Sequence, residues 1–323
     1  MPFDDDLDVA SILVPVDAVN TPGVIASITA GGVELPEDPN PAWAAGTTYA
    51  EGDRVHSPTT HRVYESLKNA NTGKDPTLPA NRTTAAGVGT WWLEVGPTNR
   101  TAMFDGLVSS QTSAATPLVI KMTPGAFNGF ALFGIDADQF EVTVRDAPGG
   151  NVLYSEPMAP LEGSMPGDYY EYFFSRFKPL TRLVRSGIEP YGSAEIELTL
   201  VKGSGEVKLG MYAIGDMRPI GIPQRDASVE PIDYSYVKTD AYGNTEVKKR
   251  AFATGMSITT KMEKEEAAVV LDTVQQVLGT PVVVVGSQAM FYEWMTVFGL
   301  LSARMSPADY PHVTLNATVK GLI

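Results

Sequence analysis

The chain has no cysteine, which removes disulfides, thiolate metal sites and a cysteine nucleophile together. Stability therefore has to come from packing or from assembly with other chains. Basic residues are scarce: 24 Lys and Arg stand against 38 Asp and Glu, a net charge of −14, and that balance repels a phosphate backbone instead of releasing its counterions. Sequence-specific nucleic-acid binding is not expected, although such a surface suits DNA that must slide past without sticking. Long apolar runs are missing as well. The longest of note, Pro281 to Val285, is far too short to span a bilayer, so no membrane insertion is expected. The start, Met1-Pro2-Phe3-Asp4-Asp5-Asp6, is acidic where a secretion signal is basic, and synthesis in a cytoplasm follows as the expectation. Asn-x-Thr sequons at Asn81, Asn99 and Asn316 are then expected to stay unmodified.

What is present points to strands. The 323 residues exceed the usual size of one core, and 43% of them are hydrophobic, enough for two or three domains. Proline and glycine punctuate short runs rich in β-branched and aromatic residues. Residues 1–40 read as an N-terminal segment with Ser11-Ile12-Leu13-Val14-Pro15-Val16, followed by a Pro-rich linker from Leu35 to Pro41. Residues 41–97 read as a small three-stranded aromatic module. Its strands are Arg54-Val55-His56, Arg62 to Glu65 and Trp91 to Val95, with a polar loop from Lys68 to Gly89.

Residues 98–215 alternate. Phe140, Val142 and Val144 face opposite to Glu141, Thr143 and Arg145, and Pro148-Gly149-Gly150 turns into Asn151 to Tyr154, a half-buried hairpin. Ala194, Ile196, Leu198 and Leu200 share a face, and the spacing predicts that Val207, Leu209, Met211 and Ala213 return along it after Gly203-Ser204-Gly205. With Leu118 to Met122 and Phe130 to Phe133, this predicts a jelly-roll β-sandwich of roughly eight strands. Residues 216–323 predict a C-terminal α+β unit with one long helix, Met262 to Leu278. Thr260 and Glu263 have capping-box spacing, Val270, Leu271, Val274, Val277 and Leu278 form an apolar face, and Gly279 with Pro281 stops the helix. Strands at Ala251 to Thr259, Val282 to Val285, Met295 to Ala303 and Val313 to Val319 flank it. The fold class is mainly β.

Catalytic chemistry is hard to assemble from these residues. His56, His61 and His312 are scattered; the first two flank a turn near Asp53 and read as exposed hairpin histidines rather than metal ligands. Gly286-Ser287 follows an apolar run, yet Ala289 stands where a nucleophile elbow needs its second glycine. Asp136 and Asp138 lack the glycine and glutamate of a calcium loop. They read as a turn. Gly203 and Gly205 have no helix after them and make no phosphate loop. Asp4, Asp5, Asp6 and Asp8 read as a solvated terminus. No catalytic residue, metal or cofactor is expected.

The aromatic set carries more. Trp91 and Trp92 are adjacent, so in a strand they point to opposite faces and at most one serves the module's core directly. The other offers an indole face that can stack on a sugar or anchor a neighbouring protein. The run Trp43, Tyr49, Glu51-Gly52-Asp53-Arg54-Val55, Tyr64 and Trp91-Trp92 resembles the chitin-binding type of carbohydrate-binding module, families five and twelve. That resemblance implies Trp43, Tyr49, Tyr64, Trp91 and Trp92 as candidate carbohydrate-binding residues, although Ser66 to Asn69 stand where those modules carry a further aromatic. The continuation Trp92-Leu93-Glu94-Val95-Gly96-Pro97-Thr98-Asn99-Arg100-Thr101-Ala102-Met103-Phe104-Asp105-Gly106 is similar to a junction in tail-associated proteins of tailed bacteriophages. In that group such a module precedes a galactose-binding-like jelly roll. Asp233-Tyr234-Ser235, Asp240 to Asn244 and Lys249 to Phe252 resemble the same group.

The resemblance implies a non-enzymatic structural virion protein, at a tail tip, baseplate or collar, made in the host cytoplasm and located in the phage tail. Its partners would be its own copies in a ring and other virion proteins. A second expectation is a host-surface glycan adhesin acting through the five aromatics; a third, less favoured, is a glycan-degrading enzyme with an accessory module, which needs two carboxylates in a cleft.

Overall fold

The computed structural model describes residues 9–82, 90–161, 179–239, 245–250, 252–287, 292–309 and 311–322. The acidic cluster Asp4 to Asp8, part of the Lys68 to Gly89 loop, and Asp240 to Asn244, Ala251 and Ala289 to Phe291 lie outside them. The architecture is mainly β with several sheets and one α-helix among the described residues. In chain order the strands begin with β1 (Ala10–Pro15), β2 (Ile25–Ala30), β3 (Val33–Glu34), β4 (Thr48–Tyr49), β5 (Arg54–Ser57), β6 (Arg62–Ser66), β7 (Asn71–Thr72) and β8 (Trp92–Pro97). Next come β9 (Thr112–Ala114), β10 (Leu118–Met122), β11 (Gly129–Phe133), β12 (Gln139–Arg145), β13 (Val152–Pro160), β14 (Arg182–Ser186), β15 (Glu195–Val201) and β16 (Val207–Leu209). The last are β17 (Met211–Pro223), β18 (Ser228–Asp233), β19 (Tyr236–Thr239), β20 (Thr245–Lys248), β21 (Phe252–Glu263), β22 (Pro281–Val285), β23 (Thr296–Asp309) and β24 (His312–Gly321), with helix α1 (Ala267–Val277) between β21 and β22.

Alternation builds the sandwich. A six-stranded sheet, β13-β12-β15-β10-β2-β3, turns Phe140, Val142, Val144, Ile196, Leu198 and Leu200 inward, onto Phe130, Leu132, Leu183, Tyr212 and Ile214 of β11, β14 and β17. Each such side chain contributes about 1.5–3 kcal/mol by leaving water. Tyr212 sits in this core against Phe104 and Phe130. Its hydroxyl is buried without a hydrogen-bond partner among the described residues, and burial pushes its pKa far above the usual tyrosine range.

The chain crosses between sheets where the alternating pattern predicts a return. β15 belongs to the six-stranded sheet, whereas β16 pairs with β9 and β17 lies between β11 and β1 in the other large sheet. The expected shared face of β15 with Val207 to Ala213 is therefore corrected: Val207 and Leu209 reach the sandwich core that β15 lines, whereas Met211 and Ala213 pack in another cluster with Leu13, Phe133 and Val283. Period two reports that a strand has an inside, not which sheet it joins. Asp136 and Asp138 hold the crossing, with Lys202 Nζ 2.6 Å from Asp136 and the Gly203 N–H donating to Asp138 at 2.7 Å.

The second large sheet curls on itself. Its order runs β14-β11-β17-β1-β22-β23-β24-β21-β18, and β17 also pairs with β21 through Ile222 with Lys261 and Pro223 with Thr260. These two pairs close a ring of six antiparallel strands, which removes the open edges of those strands. Gly221 stands at the closure with φ +107°, where a Cβ would meet the Lys261 carbonyl oxygen at 2.7 Å. Inside the ring Ile12, Val284, Val297, Leu301, Leu315, Ala317, Met256 and Ile258 pack together. Helix α1 adds Val270, Val274 and Val277 to that core and touches both β17 and β23.

Two expectations about the termini of elements change. Met262 and Glu263 belong to β21, because that strand pairs with β24 as far as Glu263 opposite His312 and buries Met256, Ile258, Thr260 and Met262 in strand alternation. Thr260 Oγ1 donates to the Ile220 carbonyl at 2.7 Å instead of capping a helix. Helix α1 is accordingly shorter than predicted, and its buried face is Val270, Thr273, Val274 and Val277, while Leu271 and Leu278 are exposed. Gly279, at φ +79°, follows its end.

The first forty residues pair with strands far along the chain. β1 is a central strand of the ring, hydrogen-bonded to β17 and β22, and β2 pairs with β10. Ala10, Ser11, Ile12 and Leu13 are all buried, as a strand covered on both faces requires. The Pro-rich connection is likewise tied down rather than a free linker. Glu37 accepts from Thr98 Oγ1 at 2.7 Å and lies 2.6 Å from His61 Nδ1, while Asp38 accepts from the Asn99 N–H at 3.0 Å.

Candidate functional site

The aromatic module is the three-stranded sheet β5-β6-β8 with the short pair β4-β7. Its core is Tyr49, Val55, Tyr64 and Trp92, with Trp43 and Trp91 packed at the side. The Tyr49 and Trp92 rings meet edge to face, centroids 5.3 Å apart, an arrangement the ring quadrupoles favour. Each polar tip is engaged. The Tyr49 hydroxyl accepts from the Ala44 N–H at 2.8 Å, Trp92 Nε1 donates to the Lys74 carbonyl at 2.6 Å, and the Tyr64 hydroxyl shares a hydrogen bond with Thr60 Oγ1 at 3.0 Å.

The five candidate sugar-binding aromatics therefore separate into two groups. Tyr49, Tyr64 and Trp92 are buried, and a ring in the core has no face to offer a ligand. Trp91, in the bend just before β8, and Trp43 are half-buried and pack at the side of that core. Lys68 Nζ lies over the Trp91 ring at 5.1 Å and Lys74 Nζ at 5.4 Å. These ammonium groups hold the π face by cation–π attraction. No local signal in the sequence announced them, since both lysines come from a polar loop remote from Trp91 in the chain. Trp43 Nε1 is shielded from solvent and has no partner among the described residues.

The histidines are structural. His56 is buried with Nδ1 2.7 Å from the Asn40 carbonyl oxygen, a correction to its reading as exposed. His61 pairs with Glu37, and His312 lies 3.3 Å from Glu263. Among the described residues no three His, Asp or Glu side chains gather as metal ligands, and no helix is long and apolar enough to cross a membrane.

A second feature stands out by exposure. β18 pairs with the first half of β21, Ser228 opposite Ser257 through Asp233 opposite Phe252, and past Met256, where the pairing with β24 stops, the two strands continue as a ribbon. The ribbon then extends into the hairpin of β19 and β20, Tyr236 opposite Lys248 through Thr239 opposite Thr245, which pairs with no other strand among the described residues. Its joint is held locally: the Ser235 N–H donates to Asp233 at 2.8 Å, and the Arg250 N–H donates to Ser235 Oγ at 2.9 Å. Hydrogen bonds from the Ser235 hydroxyl and N–H lower the Asp233 pKa below the usual carboxylate range. Arg250 lies over the Tyr236 ring at 4.8 Å.

Every residue of β19 and β20 is exposed. Val237 and Val247 stand directly opposite each other, 61% and 69% exposed. An isolated two-stranded hairpin is at best marginally stable in water, and this arm has an apolar face that no described residue covers. The resemblance covering Asp233 to Phe252 marked this segment in the sequence, but the sheet it lacks became visible only with the pairings.

No family model matches the chain, and no curated protein matches it. Among solved structures it is similar to the crystal structure of an F5/8 type C domain from Bacteroides fragilis, at 12% identity. The similarity covers 38% of this chain and 80% of that one, with a TM-score of 0.24. A likeness at that score carries no argument, and the sandwich described above rests on its own strand order.

Proposed function

We propose that this protein is a structural component of a tailed-phage virion, acting through subunit interfaces and not through turnover of a substrate. The observation that carries the reading is the β19–β20 arm, whose Val237 and Val247 are exposed side by side with no supporting strand among the described residues. Such a ribbon gains most from a partner, because the apolar area it presents is removed from water only by association. The phage resemblance of the junction after Trp92 and of the segment around the arm supplies the setting. Copies arranged about an axis would turn a modest contact into a stable ring. Mass spectrometry of purified particles from the producing host is expected to find the chain among the particle proteins; its absence from them overturns the virion reading.

A glycan-binding role is a second reading, favoured only by the half-buried Trp91 with Lys68 and Lys74 over its ring. It would have to act through Trp91 and Trp43 alone, since the other three aromatics are committed to the core. A glycan array that shows binding by the wild type and none by Trp91→Ala supports it, and silence of the wild type removes it.

A further inference from the structure

We infer that the exposed arm of one copy docks head to tail into a groove at the opposite end of β21 on a second copy, an inference that rests on the assembly reading above. The groove has a volume of about 920 Å³ and lies beside the seam where β17 and β21 close the ring. Val9, Ile222 and Val269 line it and are 46%, 55% and 68% exposed. Glu265 and Glu266 stand along the same wall, at the entry to α1. Arg218, also in the lining, is engaged by Asp216 at 2.7 Å and by Gln276 at 2.8 Å.

The arm offers valines and net positive charge to a wall that carries Ile222, Val269, Glu265 and Glu266. Val237 and Val247, with Thr239 and Thr245, lie on one face of the ribbon, and Tyr236, Lys238, Glu246 and Lys248 on the other. From Tyr234 to Arg250 the positive residues Lys238, Lys248, Lys249 and Arg250 outnumber Asp240 and Glu246, although the whole chain carries −14. A basic, valine-bearing ribbon is thus offered by a molecule whose remainder is more acidic than its total. A second copy supplies both the apolar floor and the carboxylates.

Geometry decides the mode. β21 spans Phe252–Glu263; the arm leaves beyond Phe252, and the groove takes in Lys261, Met262 and Glu263 at the other end. At about 3.3 Å per residue the two lie roughly 36 Å apart along one strand. A chain with donor and acceptor at opposite ends makes a heterologous contact, which closes into a ring or continues as a stack.

The test uses the full chain in three forms: wild type, an arm variant (Val237→Asp with Lys238→Glu and Lys248→Glu), and a groove variant (Glu265→Lys, Glu266→Lys and Val269→Lys). Native mass spectrometry and sedimentation are the readouts, with circular dichroism melts to show that each form is folded. The wild type is expected to self-associate, each variant to weaken association at least tenfold, and an equimolar mixture of the two variants to give one-to-one dimers and nothing larger. The last result follows because one variant keeps only a working groove and the other only a working arm. A folded groove variant that assembles like the wild type overturns the docking site while leaving assembly standing. A wild type that stays monomeric at every accessible concentration overturns both.

Discussion

The aromatic module and the β19–β20 arm are both small β units, and they handle apolar surface in opposite ways. The module turns Tyr49, Tyr64 and Trp92 inward and gives the polar tip of each of these three rings a partner. The arm turns Val237 and Val247 outward and has no second layer among the described residues. A few short strands can stand by themselves when large rings supply area per residue; two strands bearing valines cannot. The difference separates a unit that is finished within one chain from one that a neighbour completes.

The comparison breaks most readily at Trp92. Trp92→Ala is expected to cost the module about 3–5 kcal/mol, read as an early thermal transition that leaves the strand content of the sandwich and ring intact. If the whole chain unfolds in one step instead, the module is not an independent unit. Trp91→Ala, which removes the ring beneath Lys68 and Lys74, is expected to cost about 1–2 kcal/mol and to leave the module folded; a loss equal to that of Trp92 would show that the two tryptophans share one core. Tyr49→Phe leaves the Ala44 N–H without its acceptor and is expected to cost about 1 kcal/mol in the same melt. The smallest effect belongs to the arm. Val237→Ser with Val247→Ser is expected to change the stability of the monomer by under about 0.5 kcal/mol, and a larger loss in a dilute, unassociated sample would mean that the arm already has a core.

A further contrast lies at the centre of the sandwich, where the Tyr212 hydroxyl is buried unpaired among the described residues. Tyr212→Phe is expected to raise stability by about 1 kcal/mol, because an unsatisfied buried donor is removed without changing the ring that packs on Phe104 and Phe130. Denaturant unfolding at unchanged slope measures it.

Much of the fold is legible along the chain because strand alternation is a local property. Phe140, Val142 and Val144 face one way in the sequence and in β12 alike, whereas Trp91 falls in the bend before β8 and packs half-buried beside the core that Trp92 fills. What misled was also local. Thr260 and Glu263 have the spacing of a helix cap, yet Thr260 bonds across the barrel seam to Ile220, a residue forty positions away. His56 lies beside a turn in the sequence and is buried by the Asn40 segment.

By itself the amino-acid sequence determined the β character of the chain, the alternating faces of strands such as β12 and the absence of cysteine chemistry, since each follows from composition or from residues within a few positions of one another. The tertiary structure alone decided that β1 sits at the centre of a closed ring, that β15 and β17 lie in different sheets, that Lys68 and Lys74 cover Trp91, and that the arm and the groove stand at opposite ends of β21. The reason is physical. Alternation tells a strand which side to bury, whereas the choice of neighbour is made by long-range hydrogen-bonded pairings whose partners carry no mark of each other in the chain.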